Sequence, residues 1–325
     1  MTERYLVTGA NGQDGTYLVE LLLGQGAEVH ALCHSPEGAA RLAAEYPGAQ
    51  SYSADLRDGE VIAQLVQSVE PTRVINLAGN TSVARSWDYP AEAAEVLGLG
   101  PVRLLEEIKS LIERSGREVR FLQASSAEIF GDATEIPQNE STLIRPVTPY
   151  GAAKAFAHGM TAMYRARGLH VSTAILYNHE SPRRPEAFVA RKIAQGVVRI
   201  ASGLQDALVL GNIDAERDWG YAPDYVDAMV RIIESESGDD FVVATGRSHS
   251  VREFVALAFE NAGIPDWEPY VTIDPALYRP ADPRQLVGDP AKLLSIGWRP
   301  TVDFAELVRI MVSVEFERVA AAGSK

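Results

Sequence analysis

Tyr150 and Lys154 are the side chains whose spacing most directly suggests chemistry. They lie four residues apart in "YGAAK", so on a helix they share one face. A phenol with a pKa of about 10 is a poor base at neutral pH, but a neighbouring ammonium group favours the phenolate. Such a phenolate could take a proton from a substrate hydroxyl as hydride leaves the same carbon. The pair alone is weak evidence, because Tyr and Lys recur at this spacing on exposed helix faces.

A second group of polar side chains follows a buried strand in "QASSAEIFG", from Gln123 to Gly131. Ser125, Ser126 and Glu128 come at the carboxyl end of this strand, where side chains of an α/β protein often face a ligand crevice. They could equally cap the next helix, and Glu128 could be a solvated loop carboxylate. The residues alone leave both interpretations open.

The segment "VTGANGQDG" carries glycines at the end of the first strand and the start of the first helix, namely Gly9, Gly12 and Gly15. Glycines there let the backbone turn tightly and approach a pyrophosphate at the helix N-terminus, although a structural turn is the plain alternative. Asp55 follows the third strand and could accept a hydrogen bond from an adenine amino group or simply cap a helix. The second strand ends in "CHS", which is neither the acidic signature of NAD enzymes nor the arginine of NADP enzymes.

Short apolar runs alternate with helical patterns through the first half of the chain, which predicts a parallel sheet with crossover helices. Strands are expected from Arg4, Glu28, Arg73, Val119 and His170, and a late one from Phe241. Amphipathic helical patterns cover 17–22 and 61–69, and a further one closes the chain over 304–316. We therefore predict an α/β fold, a doubly wound parallel sheet of Rossmann type.

After Tyr177 the alternation gives way to polar segments typical of ligand-facing loops. We predict a dinucleotide-binding domain from residues 1–177 plus 221–248. A smaller mixed α/β substrate-binding domain is expected from residues 178–220 plus 249–325. Trp219 falls in the second of these domains, where it could stack on a base or belong to a core.

The overall composition excludes several classes of function. The net charge of −14 and the pI near 4.9 argue against a nucleic-acid partner. Cys33 is the single cysteine, so no intrachain disulfide can form, and a cytoplasmic location is expected. There is no signal-like segment and no apolar run of about 18 residues, so we expect no membrane span. We predict no metal site.

Taken together, the glycine segment, the serine segment and the Tyr-Lys pair resemble the extended short-chain dehydrogenase/reductase family. Within it the chain resembles the GDP-mannose 4,6-dehydratases, from the first strand to the last helix. The most specific segments are "GQDGTYL", "QASSAEIFG", "NHESPRR" and "LGNIDAERDWGYAPDYV". The resemblance implies a hydro-lyase acting on GDP-mannose or a close GDP-sugar. Its product would be the 4-keto-6-deoxy sugar, formed by transient C4 oxidation, elimination of water across C5–C6 and hydride return to C6.

The resemblance also implies roles for individual residues. Ser126 would hydrogen-bond the 4-hydroxyl, Glu128 would handle protons at C5 and on the leaving 6-hydroxyl, and Tyr150 with Lys154 would remove the C4 hydroxyl proton. The cofactor, NADP with NAD possible, is expected at Gly9, Asn11, Gly12, Gln13, Asp14, Gly15, His34, Ser35, Asp55, Leu56, Leu77, Ala78, Tyr150 and Lys154. The nucleotide sugar is expected at Ser86, Asn178, Glu180, Lys192, Arg217, Arg279 and Asp282.

Two segments differ from the family pattern. Asn80 and Ser82 stand where the family usually has Gln and His, close to the expected sugar. The short "CHSPEG" replaces an Arg- and Ser-rich run used in the family for the NADP phosphate and for tetramer contacts. We therefore expect a homodimer. A nucleotide-sugar reductase or epimerase, or a non-catalytic dinucleotide-binding protein, remains an alternative.

Overall fold

The computed structural model describes residues 3–278 and 285–323. Its centre is a seven-stranded parallel sheet, with strands numbered in chain order. These strands are β1 (Arg4–Thr8), β2 (Glu28–Cys33), β3 (Gln50–Ser53), β4 (Arg73–Asn76), β5 (Arg120–Ala124), β6 (His170–Leu176) and β10 (Asp240–Val243). They lie in the order β10-β6-β5-β4-β1-β2-β3 with every neighbouring pair parallel. The first six strands thus follow the doubly wound order, which confirms the predicted fold class.

Helices cover both faces of this sheet. One face packs against α1 (Gln13–Gly24), α2 (Pro36–Glu45) and α9 (Ala222–Ile233), and the other against α3 (Gly59–Val69), α6 (Gly100–Ser115) and α7 (Pro149–Ala166). Successive strand side chains point to opposite faces, so Leu6 belongs to one core cluster and Val7 to the other. This is why the strands read as continuous apolar runs rather than as alternating ones.

A second hydrophobic core is formed by elements that follow β6 in the sequence. It is formed by α8 (Val189–Ala201), α10 (Val251–Asn261) and α12 (Phe304–Gly323). Around it, β9 (Glu216–Tyr221) pairs with β7 (Asn178–Glu180), β11 (Ser248–Ser250) and β13 (Gln285–Leu286), and β8 (Leu208–Leu210) pairs with β12 (Val271–Ile273). Trp219 is buried in this core, with its ring 5.8 Å from that of Phe304. Trp219 is therefore a core residue, and its ring is not exposed for stacking on a base.

The remaining elements are short. They are α4 (Val83–Asp88), α5 (Pro90–Ala93), a π-helical turn (Ala94–Leu99), α11 (Ala291–Ser295) and 3₁₀ turns at Ala127–Ile129, Glu268–Tyr270 and Pro275–Leu277. Leu293 and Trp298 pack into the core on that face of the sheet which α1, α2 and α9 cover, and the Trp298 ring contacts Tyr225 of α9. The predicted division into two domains stays a prediction. In the part of the chain covered by the structure, no helix is long and apolar enough to cross a lipid bilayer.

The parallel sheet brings several chain segments to one edge. Because parallel strands all end on the same side, the segments after β1, β4, β5 and β6 meet at the carboxyl edge of the sheet. β1 and β4 are neighbours although β2 and β3 lie between them in sequence, so the crevice between them is the topological switch point. Ligands of open α/β sheets bind at such a crevice.

Candidate active site

The glycine segment after β1 forms a close-packed turn, here called the cradle (residues 9–15). Gly9 has φ +67°, a conformation that favours glycine. A Cβ placed on Gly15 would lie 2.4 Å from the carbonyl oxygen of Gly9. α1 begins directly afterwards, and its N-cap residue Gly12 has no side chain to satisfy the first backbone N–H groups. The cradle therefore fits a diphosphate, which needs close backbone approach and free N–H donors.

The residues predicted for the cofactor's adenosine end surround the starts of α2 and α3. Ser35 caps α2 by accepting a hydrogen bond from the Gly38 amide at 3.1 Å. Asp55 accepts hydrogen bonds from Arg57 at 2.6 and 2.9 Å, and these bonds lower the pKa of its carboxyl group. The ring of His34 is exposed and lies 3.8 Å from Asp55.

Three further predicted cofactor residues differ in burial, since Leu56 is buried and Leu77 and Ala78 are half-buried. The side chain of Leu56 is buried in the core, so only its backbone is available to a ligand. Leu77 and Ala78 follow β4 and line the switch point opposite Gly9, whose Cβ position is 2.9 Å from Ala78.

The cradle is joined to the segment after β6 by a buried ion pair. Asp14 Oδ2 lies 2.9 Å from His179 Nε2, and His179 Nδ1 lies 2.7 Å from the carbonyl oxygen of Tyr177. Both ring nitrogens face acceptors, so both carry a proton and the ring is cationic. Burial by itself would lower the pKa of His179, but the Asp14 carboxylate outweighs it and the pKa is raised.

The start of α7 holds the Tyr-Lys pair. Thr148 caps the helix by accepting a hydrogen bond from the Gly151 amide at 3.0 Å, and the Tyr150 amide donates to Ser86 Oγ at 3.1 Å. Both Tyr150 and Lys154 are buried. The ammonium of Lys154 donates to the Ala124 carbonyl at 2.8 Å and lies 5.8 Å from the centre of the Tyr150 ring.

Burial shifts the two pKa values in opposite directions because it disfavours the charged form of each group. It raises the pKa of Tyr150 to about 12, against a hydrogen bond with Ser126 that lowers it. It lowers the pKa of Lys154 to about 8, against the charge of Asp14. The site thus holds a neutral phenol beside an easily deprotonated ammonium.

The structure bears on both interpretations of the serine segment, as a helix cap and as part of a ligand crevice. Ser126 caps the 3₁₀ turn at Ala127–Ile129 by accepting a hydrogen bond from the Glu128 amide at 3.2 Å, and its hydroxyl also bonds Tyr150. Glu128 is buried, with Thr148 Oγ1 3.5 Å from its Oε2. Ser126, Glu128, Tyr150 and Lys154 are therefore brought together at the carboxyl end of β5.

The predicted substrate residues lie on several different elements. Asn178 pairs with Trp219 between β7 and β9, and the buried Arg217 on β9 donates to the Glu216 carbonyl at 2.6 Å. Lys192 lies in the first turn of α8. Arg279 and Asp282 lie outside the described residues.

Two of these predicted residues make internal contacts instead of facing open space. Ser86 donates to the Val83 carbonyl at 2.6 Å while it accepts from Tyr150, so its hydroxyl supports the start of α7. Glu180 is buried, with its Oε2 3.2 Å from Arg184 Nε, and burial raises the pKa of its carboxyl group although Arg184 lowers it.

Sequence reasoning missed two side chains of the site. Thr148 precedes a proline and a helical pattern, which is an N-cap signature that could have been read from the sequence. His179 stands between two residues chosen as substrate contacts, but nothing local indicates its partner Asp14, which is 165 residues away.

Comparison with known proteins identifies the family. A sequence model of the family described as GDP-mannose 4,6 dehydratase matches residues 6–311. The chain belongs to this family. Among the family's proteins, GDP-mannose 4,6 dehydratase 2 of Arabidopsis thaliana is 43% identical over an alignment of 324 positions, which covers 96% of this chain and 86% of that protein.

Solved structures of other nucleotide-binding proteins show a similar fold. UDP-glucose 4-epimerase of Thermus thermophilus, in complex with NAD, has a TM-score of 0.84 and 31% identity, and covers 97% of this chain and 99% of that one. RMD from Pseudomonas aeruginosa, complexed with NADPH, has a TM-score of 0.81 and 26% identity, and covers 98% of this chain and 100% of that one. The family's fold thus extends over nearly the whole chain.

Proposed function

We propose that this protein is a GDP-mannose 4,6-dehydratase, a hydro-lyase that forms the 4-keto-6-deoxy sugar. The observation that carries the proposal is the cluster beside the cradle of the half-buried Ser126 with the buried Glu128, Tyr150 and Lys154. Membership of the family supports the substrate, since the relatives bear the name of this activity. A simple reductase or epimerase has no comparable need for a buried carboxylate at position 128.

The first step removes two hydrogens at C4 of the sugar. Tyr150 takes the hydroxyl proton, the Lys154 ammonium favours the phenolate by its charge, and Ser126 holds the 4-hydroxyl by a hydrogen bond. When bound, a nicotinamide dinucleotide supplies the acceptor for the C4 hydride and its later donor to C6.

The second step is the elimination. A ketone at C4 acidifies the C5 hydrogen, so Glu128 can remove that proton and deliver it to the departing 6-hydroxyl. Thr148 Oγ1, 3.5 Å from the Glu128 carboxylate, helps to hold it at the base of α7. Water leaves, the hydride returns to C6, and C5 takes up a proton that balances the one Tyr150 removed from the 4-hydroxyl, so no cofactor is consumed.

For the cofactor we propose NADP, with NAD also accepted. The Asp55 carboxylate lies 3.8 Å from His34, which follows β2, and it accepts hydrogen bonds from Arg57, so it is less available to a ribose 2′-hydroxyl. The absence of an arginine in "CHSPEG" limits the preference for a 2′-phosphate. Titration with each cofactor gives the ratio of dissociation constants, and binding of NAD alone contradicts this assignment.

For the assembly we propose a homodimer formed through α7 and the π-helical turn. Phe156 and Met163 on α7 are 47% and 61% exposed, and Leu99 of the turn is 38% exposed. The turn and α7 meet at Phe156, because a Cβ on Gly98 would lie 3.3 Å from the Phe156 ring. A second copy covering this patch would remove large apolar side chains from water.

The single cysteine keeps the cytoplasm as the predicted compartment.

The decisive experiment is mass spectrometry of GDP-mannose incubated with the purified protein, with the absorbance of reduced cofactor followed in the same sample. We expect a product lighter by one water and no net change in cofactor. Net cofactor oxidation would indicate a reductase, and an isomer of unchanged mass would indicate an epimerase. A protein that binds cofactor but leaves GDP-, UDP-, CDP- and dTDP-sugars unchanged would contradict an enzymatic role.

A further inference from the structure

The turn between β7 and α8, residues 181–185, is attached to the cradle. Ser181 Oγ donates to Gln13 Oε1 at 2.9 Å, and Gln13 Nε2 donates to the His179 carbonyl at 3.2 Å. Arg183 pairs with Glu20 of α1 at 2.6 Å. This side of the turn is therefore fixed to α1.

The other side of the turn is held by charged side chains of α8 and α12. Arg191 Nη1 donates to the carbonyl oxygens of Pro182 at 2.6 Å and Arg184 at 3.1 Å, and Arg318 Nη2 donates to Pro182 at 2.7 Å. Both guanidinium groups pair with one carboxylate, that of Glu315. Arg191 Nε lies 2.6 Å from Glu315 Oε1, and Arg318 contacts the same oxygen.

Stability alone does not explain this network. The side chains of Arg191 and Glu315 are 9% and 4% exposed, so both charges are almost fully removed from water. The desolvation cost of a buried ion pair offsets most of its attraction, and apolar residues between α8 and α12 would stabilise their contact as well. The network supplies hydrogen-bond donors directed at the two carbonyl groups of the turn, and apolar residues could not supply them.

The turn carries Arg184, whose side chain contacts Glu180 of β7, the residue after the His179 that pairs with Asp14 of the cradle. Arg184 Nε is 3.2 Å from Glu180 Oε2, and its guanidinium carbon is 3.7 Å from the centre of the Phe188 ring. The charge of Arg184 lowers the pKa of both Tyr150 and Asp14. The position of this guanidinium group therefore affects the cofactor site and the proposed base together.

We propose that Arg191 and Glu315 are positioning residues for the reaction, which hold residues 181–185 so that Arg184 keeps its contact with Glu180, next to the pair of His179 with the cradle. The inference rests on the proposed function for its catalytic consequence. It extends the site to a carboxylate on the C-terminal helix that contacts neither substrate nor cofactor.

Glu315→Gln tests the proposal, because it keeps the size of the side chain and removes the charge that orients both guanidinium groups. A displaced Arg184 no longer favours the phenolate, so the acid limb of the pH profile of kcat should move to higher pH. We expect cofactor affinity to fall about tenfold, the scale of one lost charged contact. The charged groups that act on Tyr150 or Arg184 in this region are Asp14, Glu128, Lys154, His179 and Glu180.

Glu306→Gln is the matched control, since Glu306 lies on the same helix in an exposed pair with Arg309 and should change neither readout. Arg184→Gln should move the acid limb in the same direction as Glu315→Gln. In the double variant the two shifts should not add, because both act through one group. Full additivity of the shifts, or an unchanged profile in Glu315→Gln, would overturn the proposal.

Arg318→Gln provides a second variant if Glu315→Gln fails to fold, because the Arg318 side chain is 41% exposed and leaves the pair of Arg191 with Glu315 intact. It should shift both readouts in the same direction by a smaller amount, and an unchanged cofactor affinity would count against the proposal. Cofactor affinity needs no turnover. A wild-type protein without dehydratase activity would therefore refute the proposed function while the binding comparison still tests the positioning role.

Discussion

At the scale of single residues, burial separates the protonation behaviour of Tyr150 and Lys154. Desolvation raises the first pKa to about 12 and lowers the second to about 8, so the ligand-free site disfavours both charges that the reaction uses. A cationic ligand ring beside the phenol would favour the phenolate and counter part of this effect. The site is thus arranged to become basic when it is filled.

Lys154→Met should stabilise the ligand-free protein at pH 7 by about 2 kcal/mol, because a buried ammonium is replaced by an apolar chain of similar length. The pKa of Lys154 falls from 10.5 to about 8 on folding, so between these values the unfolded chain binds more protons. The wild-type free energy of unfolding therefore rises with pH in that window, and the advantage of the variant shrinks. Urea unfolding of the wild type and the variant at pH 7 and pH 10 measures this difference in stability. A difference independent of pH would show that desolvation of Lys154 is not its cause.

Glu128→Gln should slow dehydration by about 100-fold or more while leaving C4 oxidation intact, because the amide cannot move the C5 proton. Reduced cofactor should then accumulate on the enzyme and be visible by absorbance. Tyr150→Phe is the contrasting variant, since it should prevent the first hydride transfer and leave the cofactor oxidised. Normal dehydration by Glu128→Gln would remove Glu128 from the mechanism.

At the scale of elements, the start of α1 depends on the absence of side chains. A Cβ on Gly15 would meet the backbone of Gly9 and Ala10 at 2.4 and 2.6 Å, and neither can move as a flexible side chain could. We expect Gly15→Ala to cost about 1–3 kcal/mol of stability and more than tenfold in cofactor affinity.

Gly24 at the end of the same helix has no atom within 4 Å of its Cβ position, so it serves as the control. Gly24→Ala should leave cofactor affinity unchanged and raise stability by about 0.5–1 kcal/mol, because alanine loses less backbone entropy in a helix. Thermal unfolding and cofactor titration of both variants check this. Equal effects on affinity would show that packing of the cradle does not govern binding.

At the scale of the whole molecule, the apolar patch on α7 and the π-helical turn predicts the assembly. Phe156→Glu should shift the proposed dimer to a monomer, because two carboxylates would be buried across a symmetric interface. Light scattering with size-exclusion chromatography measures the mass. Leu204→Glu changes a residue that is 54% exposed and lies beyond the end of α8, outside the patch, so it should have no effect. A Phe156→Glu dimer would place the interface elsewhere.

Much of the fold could be predicted from sequence because its signals are local. Apolar runs beginning at Arg4, Glu28, Arg73 and His170 became strands of one sheet, and the glycines of the cradle fell at a turn where a Cβ on Gly9 or Gly15 would meet backbone atoms. Parallel strands end on one side, so the positions of Ser126 and Glu128 after a strand already indicated the crevice. The family resemblance connected these segments with the Tyr-Lys pair.

Other features were decided only by tertiary structure. The pair of Asp14 with His179 and that of Arg191 with Glu315 join residues on different elements, and neither member carries a local sign of its partner. The burial that shifts the pKa of Tyr150 and Lys154 likewise depends on α7 packing against the end of β5. The sequence by itself determined which side chains could react and which elements carry them. Tertiary packing decided their charges and partners, because desolvation and ion pairing depend on distances between segments far apart in the chain.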